Sequence, residues 1–87
     1  MPSAELTLLS KPGCHLCDVA RDVVGSVVAS PEFSATVTVK ELSILDDPDL
    51  NERYWDEIPV VLIDGKVHTI WRVDPTRLRT AIEEAAG

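Results

Sequence analysis

The 87-residue sequence predicts an α/β fold in which helices cover both faces of a four-stranded mixed sheet. The prediction depends on apolar patterns that alternate between strand and helix spacing and end in a hairpin followed by a helix. A right-handed parallel crossover at the start and an antiparallel hairpin at the end give a mixed sheet in three layers. The length fits one small domain, residues 1–87, and a hydrophobic content of 45% supports a core.

The first half of the chain predicts a strand, a helix and a strand. The apolar run at residues 6–9 is typical of a buried strand, and residues 10–13 form a loop. Residues 14–29 have helical spacing, and we expect one apolar stripe to face the core: Leu16, Val19, Ala20, Val23, Val24, Val27 and Val28. Val37 and Val39 alternate with polar residues, which predicts a strand over residues 36–42.

The second half predicts a short helix, a hairpin and a final helix. The acidic turn at residues 46–49 supplies an N-cap for a short helix over residues 48–55. Residues 60–63 predict a fully buried strand, and an Asp-Gly turn returns the chain antiparallel over residues 66–71. Asp74 and Pro75 begin the last helix, whose predicted inward side chains are Leu78, Ile82 and Ala85 or Ala86.

Two cysteines, Cys14 and Cys17, open the first predicted helix and are the only cysteines in the chain. The first N–H groups of a helix lack partners inside it, and the helix dipole adds positive charge there, so a sulfur is stabilised as a thiolate. Cys14 is therefore the predicted nucleophile, and Cys17, about one turn later, the sulfur that resolves a mixed disulfide. Lys11 and protonated His15 favour the thiolate, whereas Asp18 opposes it if its carboxylate points towards the sulfur.

Other roles for the cysteine pair are two core thiols, a structural disulfide or a metal site. A disulfide that closes so short a loop recovers little chain entropy. Zinc needs three or four ligands, and only His15 and His68 could join the two thiolates. We predict a redox pair and no metal site, with binding or transfer of an iron–sulfur cluster or metal through Cys14 as the alternative.

Charge and composition restrict the partners. Fifteen acidic and eight basic side chains give a formal net charge of -7, which argues against nucleic acid and against anionic membrane surfaces. The sequence has neither a signal-peptide pattern nor an apolar run of membrane-spanning length. We therefore expect a cytoplasmic monomer, and in that reducing compartment a cysteine pair is more often catalytic than structural.

The order of elements, with a cysteine pair opening the first helix, resembles the thioredoxin fold over essentially the whole chain. More narrowly it resembles the glutaredoxins and small glutaredoxin-like proteins. Three features carry the resemblance: Lys11 three residues before Cys14, Ile58-Pro59 before a buried strand, and the proline, strand and Asp-Gly hairpin of residues 59–65. It implies a cis Ile58–Pro59 bond that faces the cysteines, with the Ile58 backbone available to an extended thiol substrate.

The resemblance implies a thiol–disulfide oxidoreductase that reduces disulfides or glutathionylated thiols. Its partners would be a protein or glutathione substrate and a thiol reductant or reductase, with glutathione as a possible co-substrate and no tightly bound cofactor. Residues 68–74 depart from the glutaredoxins because the family's Gly-Gly pair is missing and Trp71 is present. Asp74 is either the family's acidic substrate-binding residue or a helix cap. Trp71 is expected at the core rim or beside the substrate groove, and Arg72 at a strand end or near an anionic substrate.

Overall fold

The computed structural model describes residues 3–86, and every predicted helix and strand is present with ends within two residues of the predicted ones. The elements are β1 (Ala4–Ser10), α1 (His15–Val28), β2 (Val37–Ser43), α2 (Pro48–Tyr54), β3 (Val60–Ile63), β4 (Lys66–Ile70) and α3 (Pro75–Ala86). A 3₁₀ turn at Ile44–Asp46, which the sequence did not predict, precedes α2.

The sheet has the strand order β2-β1-β3-β4. β1 pairs parallel with β2, whereas β1 with β3 and β3 with β4 pair antiparallel. This arrangement confirms the predicted mixed four-stranded sheet with three helices. β1 and β3 are the central strands, and because they pair antiparallel, the end of β1 lies beside the start of β3, where the register pairs Leu9 with Val60. Both segments predicted to form the site, the cysteine loop and Ile58–Pro59, adjoin this end of the central strand pair.

Apolar side chains are buried on both faces of the sheet. On one face, side chains of β1 and β3 pack against α1 and α3 in a cluster that includes Leu6, Leu8, Val24, Val61, Leu78 and Ile82. A second, smaller cluster contains Leu9, Cys17, Ile44, Ile58 and Val60, with Leu50 and Tyr54 of α2 packed against it. Cys17 thus belongs to the smaller cluster, at the end of the sheet where the predicted site lies, and not to the larger cluster.

The apolar stripe predicted for α1 is only partly buried. Its fully buried positions are Cys17, Ala20, Val24 and Val27, whereas Leu16 and Val19 are largely exposed. A helix on a sheet buries an arc of roughly 100°, and Leu16 and Val19 lie on the flank of that arc. The described helices are too short or too polar to cross a membrane.

Candidate active site

Cys14 is the N-cap residue of α1, and Cys17 lies in the first turn of that helix. The two sulfurs form a disulfide, with the Cα atoms 5.2 Å apart. The backbone N–H of Cys17 donates to Cys14 Sγ at 3.2 Å. One of the N–H groups that lack a partner inside α1 is therefore directed at the sulfur of Cys14, and the same donor would stabilise a thiolate there after reduction.

The two cysteines differ in accessibility. Cys14 is half-buried, whereas Cys17 is completely buried in the smaller cluster. Gly13, with a φ of 78°, directs the chain from the loop into the N-cap, and glycine adopts this left-handed conformation without steric penalty. A molecule that approaches from solvent therefore reaches Cys14 and not Cys17.

The second predicted segment of the site is next to the first. The Ile58–Pro59 peptide bond is cis, as the resemblance implied. Ile58 belongs to the same buried cluster as Cys17, and Cys14 packs against that cluster. The fold thus brings together residues 14–17 and 58–59, which are far apart in the sequence.

Lys11 and His15 are exposed on either side of Cys14, in the loop and at the first position of α1. Asp18, whose direction the sequence left open, forms an ion pair with Arg21 at 2.8 Å. Its carboxylate therefore has a cationic partner of its own within α1. The spacing of three residues could have indicated this pair from the sequence.

Arg21 also joins α1 to β2 through a network that sequence reasoning missed. Its Nε and Nη2 atoms donate to the two carboxylate oxygens of Glu41 at 2.7 and 2.6 Å. The hydroxyl of buried Ser10, the last residue of β1, donates to the same carboxylate at 2.6 Å. The hydrogen bonds from Arg21, and then from Ser10, hold the pKa of Glu41 below its usual value despite partial burial. No local pattern identifies Glu41, because its partners are 20 and 31 residues away.

Asp74 caps α3. Its Oδ1 atom accepts hydrogen bonds from the backbone N–H groups of Thr76 at 2.8 Å and Arg77 at 3.2 Å. The side chain is exposed and also lines a cavity of about 490 Å³ with His68, Arg72 and Arg77. Asp74 therefore acts as the helix cap that the sequence allowed. The cap uses Oδ1, and Oδ2 takes no part in it.

Three exposed apolar side chains near the cysteines were not predicted to act together. Leu16, Val19 and Trp71 line one groove beside α1. Within residues 3–86, no group of three or more His, Cys, Asp or Glu side chains is arranged to hold a metal ion.

Comparison with known proteins gives consistent matches along the chain. A family model for the glutaredoxin-like domain (DUF836) matches residues 5–83. An uncharacterised protein of Mycobacterium tuberculosis is 31% identical over 83 residues, which cover 94% of this chain and 86% of that protein. A Dictyostelium discoideum protein named as glutaredoxin-like is 28% identical over 85 residues, covering 93% of this chain and 77% of that protein.

Solved structures agree with these matches. A structural-genomics target protein from X. campestris superimposes with a TM-score of 0.72 at 29% identity, over 92% of this chain and 97% of that chain. Chloroplastic thioredoxin z superimposes with a TM-score of 0.76 at 13% identity, over 97% of this chain and 79% of that chain. At so low an identity, the second likeness shows a shared fold alone.

Proposed function

This chain belongs to the glutaredoxin-like domain family (DUF836), and on that premise we propose that it is a thiol–disulfide oxidoreductase acting through Cys14 and Cys17. One observation carries the proposal: Cys14 is the N-cap residue of α1 and is disulfide-bonded to Cys17. A sulfur at a helix N-terminus is stabilised as a thiolate, and the thiolate is the nucleophile of disulfide exchange.

In the proposed reaction, the Cys14 thiolate attacks one sulfur of a substrate disulfide. A Cys14–substrate disulfide forms, the substrate S–S bond breaks, and the other substrate sulfur leaves as a thiolate that takes up a proton. Cys17 then loses its proton and attacks Cys14 Sγ, which releases the second substrate thiolate and forms the Cys14–Cys17 disulfide. Two electrons pass to the substrate, and an external thiol reductant or reductase restores the dithiol.

The unequal burial of the two sulfurs supports this division of roles. Half-buried Cys14 can meet a substrate sulfur, whereas Cys17 is sealed in the smaller cluster. Because reactivity in exchange depends on access as well as on thiolate character, the accessible sulfur is the better attacking group. Cys17, one turn further along α1, is placed to act only on a disulfide already formed at Cys14.

Four further residues have proposed supporting roles at Cys14. Lys11 and His15 contribute positive charge from the loop and the first position of α1. Ile58 and Pro59 lie opposite Cys14 across the proposed substrate site, where the backbone of Ile58 pairs with an extended substrate. This proposal is supported by the shared burial of Ile58 and Cys17 in one cluster.

Asp74 is the remaining proposed substrate-binding residue. Because the cap of α3 uses Oδ1, Oδ2 can accept a hydrogen bond from a substrate amine or amide. The proposed partners are a protein or glutathione bearing a disulfide and a thiol reductant or reductase. Glutathione acts in this proposal as a co-substrate and not as a tightly bound cofactor.

The proposed function is tested on protein equilibrated in glutathione buffers of graded redox poise. Free thiols are trapped at each poise, and mass spectrometry then identifies the disulfides and adducts present. We expect a reversible Cys14–Cys17 disulfide in the native chain. Cys17→Ser should accumulate a glutathione or substrate adduct on Cys14, because the resolving thiol is gone, and Cys14→Ser should form none. Reductase activity that survives in Cys14→Ser and is lost in Cys17→Ser would reverse the assigned roles.

The two single variants serve as matched controls for each other, since both replace one sulfur by oxygen. Absence of any disulfide or adduct across the whole range of poise would overturn the proposal. A coloured protein after anaerobic purification would instead favour the iron–sulfur alternative. Both results are read from the intact chain and require no known substrate.

A further inference from the structure

Three large apolar side chains are exposed next to the cysteine pair. Leu16 and Val19 on α1 are each 46% exposed, and Trp71, which follows β4, is 54% exposed. Single apolar residues at a surface are ordinary, but these three line one groove of about 300 Å³, completed by Ala20, Arg72 and Val73. We call it the Trp71 groove. Leu16 lies between the two cysteines in the sequence, so the groove starts on the helical turn that follows Cys14.

Trp71 is held in a defined position. Its φ of 66° is uncommon for a residue other than glycine. The backbone N–H of Trp71 donates to the carbonyl oxygen of Pro59 at 2.8 Å, and its indole Nε1–H donates to the carbonyl oxygen of Asp56 at 2.9 Å. The first bond holds the backbone of Trp71, and the second holds its indole, against the segment that carries Pro59. This wall of the groove is therefore formed before anything binds, which reduces the entropy lost on binding.

The Trp71 groove adjoins the cavity of about 490 Å³ at the start of α3, since Arg72 and Val73 line both. Neither Arg72 nor Arg77 takes part in an ion pair within residues 3–86. Asp74 also lines this cavity, but its Oδ1 is held by two backbone N–H groups of α3. In a chain of net charge -7, this cavity is lined by two guanidinium groups and one carboxylate. Its local charge is therefore positive, which favours binding of a carboxylate.

We propose that this surface selects the substrate, on the basis of the proposed function. The Trp71 groove receives an apolar side chain next to the substrate cysteine, and Arg72 and Arg77 receive an acidic side chain further along the same segment. The preferred substrate is therefore an extended stretch of protein, and oxidised glutathione is a poorer one. Glutathione offers carboxylates to the arginines, but it has no apolar side chain for the part of the groove lined by Leu16, Val19 and Trp71.

Peptide disulfides test the proposal on the intact protein. The first probe is a short peptide whose cysteine, in mixed disulfide with 2-mercaptoethanol, has leucine beside it and glutamate a few residues on. Matched probes carry alanine for leucine or glutamine for glutamate, and oxidised glutathione is the fourth substrate. We expect kcat/KM to fall roughly tenfold or more without the leucine, and the glutamate preference to weaken at high salt because it is electrostatic.

Trp71→Ala should lower kcat/KM for the leucine probe to the level of the alanine probe, with little change for oxidised glutathione. Trp71→Gly is a second variant, since glycine adopts the positive φ of this position without steric penalty. Trp55→Ala, at an exposed tryptophan on α2's C-cap, is the matched control and should change nothing. Arg72→Gln with Arg77→Gln should abolish the preference for glutamate and leave the preference for leucine in place.

Binding measured apart from catalysis separates this proposal from the proposed function. Amide NMR shifts of the oxidised protein are followed with a probe in which serine replaces cysteine. Binding that is lost in Trp71→Gly supports the groove even if no probe is reduced. Equal kcat/KM for all probes, with no effect of Trp71→Gly, would overturn substrate selection by the Trp71 groove while the proposed function stands. Absence of probe binding to the oxidised protein would overturn substrate selection by the groove as well.

Discussion

Around Cys14, we expect single residues to decide how far a negative charge on the sulfur is stabilised. The backbone N–H of Cys17 donates to the sulfur, while Asp18, also in the first turn of α1, carries an opposing charge. Arg21 pairs with Asp18 at 2.8 Å and holds Glu41 through two further hydrogen bonds. The charge of Asp18 is thus offset from within the same helix, and we expect Arg21 to act on Cys14 through Asp18.

At this scale we predict that Arg21→Gln makes Cys14 less reactive near neutral pH. Once Asp18 loses its partner, its charge disfavours the thiolate, and the midpoint of the pH dependence of Cys14 alkylation should rise. Because these charges are exposed and screened, the rise should be less than about one pH unit. Iodoacetamide alkylation of the reduced protein, followed by mass spectrometry, measures it.

The control is Lys40→Gln, which makes the same change in net charge by removing the exposed Lys40–Glu5 pair on the neighbouring strands. It should leave the alkylation midpoint in place. Equal shifts in both variants would mean that the overall charge, and not the Arg21 network, acts on Cys14.

At the scale of elements, all three α-helices begin with a side chain that accepts a backbone hydrogen bond. Cys14 does so for α1 through sulfur, Asp47 for α2, and Asp74 for α3. Caps are local, since acceptor and donor lie two or three residues apart, and the acidic caps therefore indicated the starts of α2 and α3 from the sequence. The start of α1 was indicated instead by the helical spacing that follows the loop. Burial along α1 was less predictable, because the packed arc depends on how the helix lies on the sheet.

The cap of α3 gives the prediction at this scale. Asp74→Ala should destabilise the protein by about 1 kcal/mol, whereas Asp74→Asn should retain most of the stability, because an amide oxygen can still accept the two N–H bonds. Urea unfolding monitored by circular dichroism measures both. If Asp74 also binds substrate through its charge, Asp74→Asn should raise KM while stability is retained. An Asp74→Ala variant as stable as the native chain would contradict the role of Asp74 as a cap.

For the molecule as a whole, a partly buried histidine couples folding to pH. His68 lies on β4, and burial, followed by the charge of Arg77, lowers the pKa of His68 below its ordinary value of 6.5. Between the folded pKa and 6.5, the unfolded chain binds more protons than the native one. The free energy of unfolding therefore rises with pH through that window and falls as the solution is acidified from about pH 7.

We predict that His68→Gln flattens this part of the stability profile. Urea midpoints taken from pH 7.5 to pH 5 should fall in the native chain and change less in the variant. His15→Gln removes the exposed histidine of α1 and is the control. The contribution of the Glu41–Arg21 pair is lost at lower pH, because the pKa of Glu41 is itself depressed. An unchanged slope in His68→Gln would contradict the prediction.

Local patterns alone were enough for the element order, the helix starts, the hairpin and the cysteine pair at a helix N-terminus. Each of these depends on residues a few positions apart, where spacing, capping and turn chemistry act directly. The sequence could not show that Glu41 meets Arg21, 20 residues away, or that Trp71 binds the carbonyl of Asp56, 15 residues away. Which apolar residues stay exposed to form a groove was likewise decided by packing, because burial depends on what the rest of the chain places against each face.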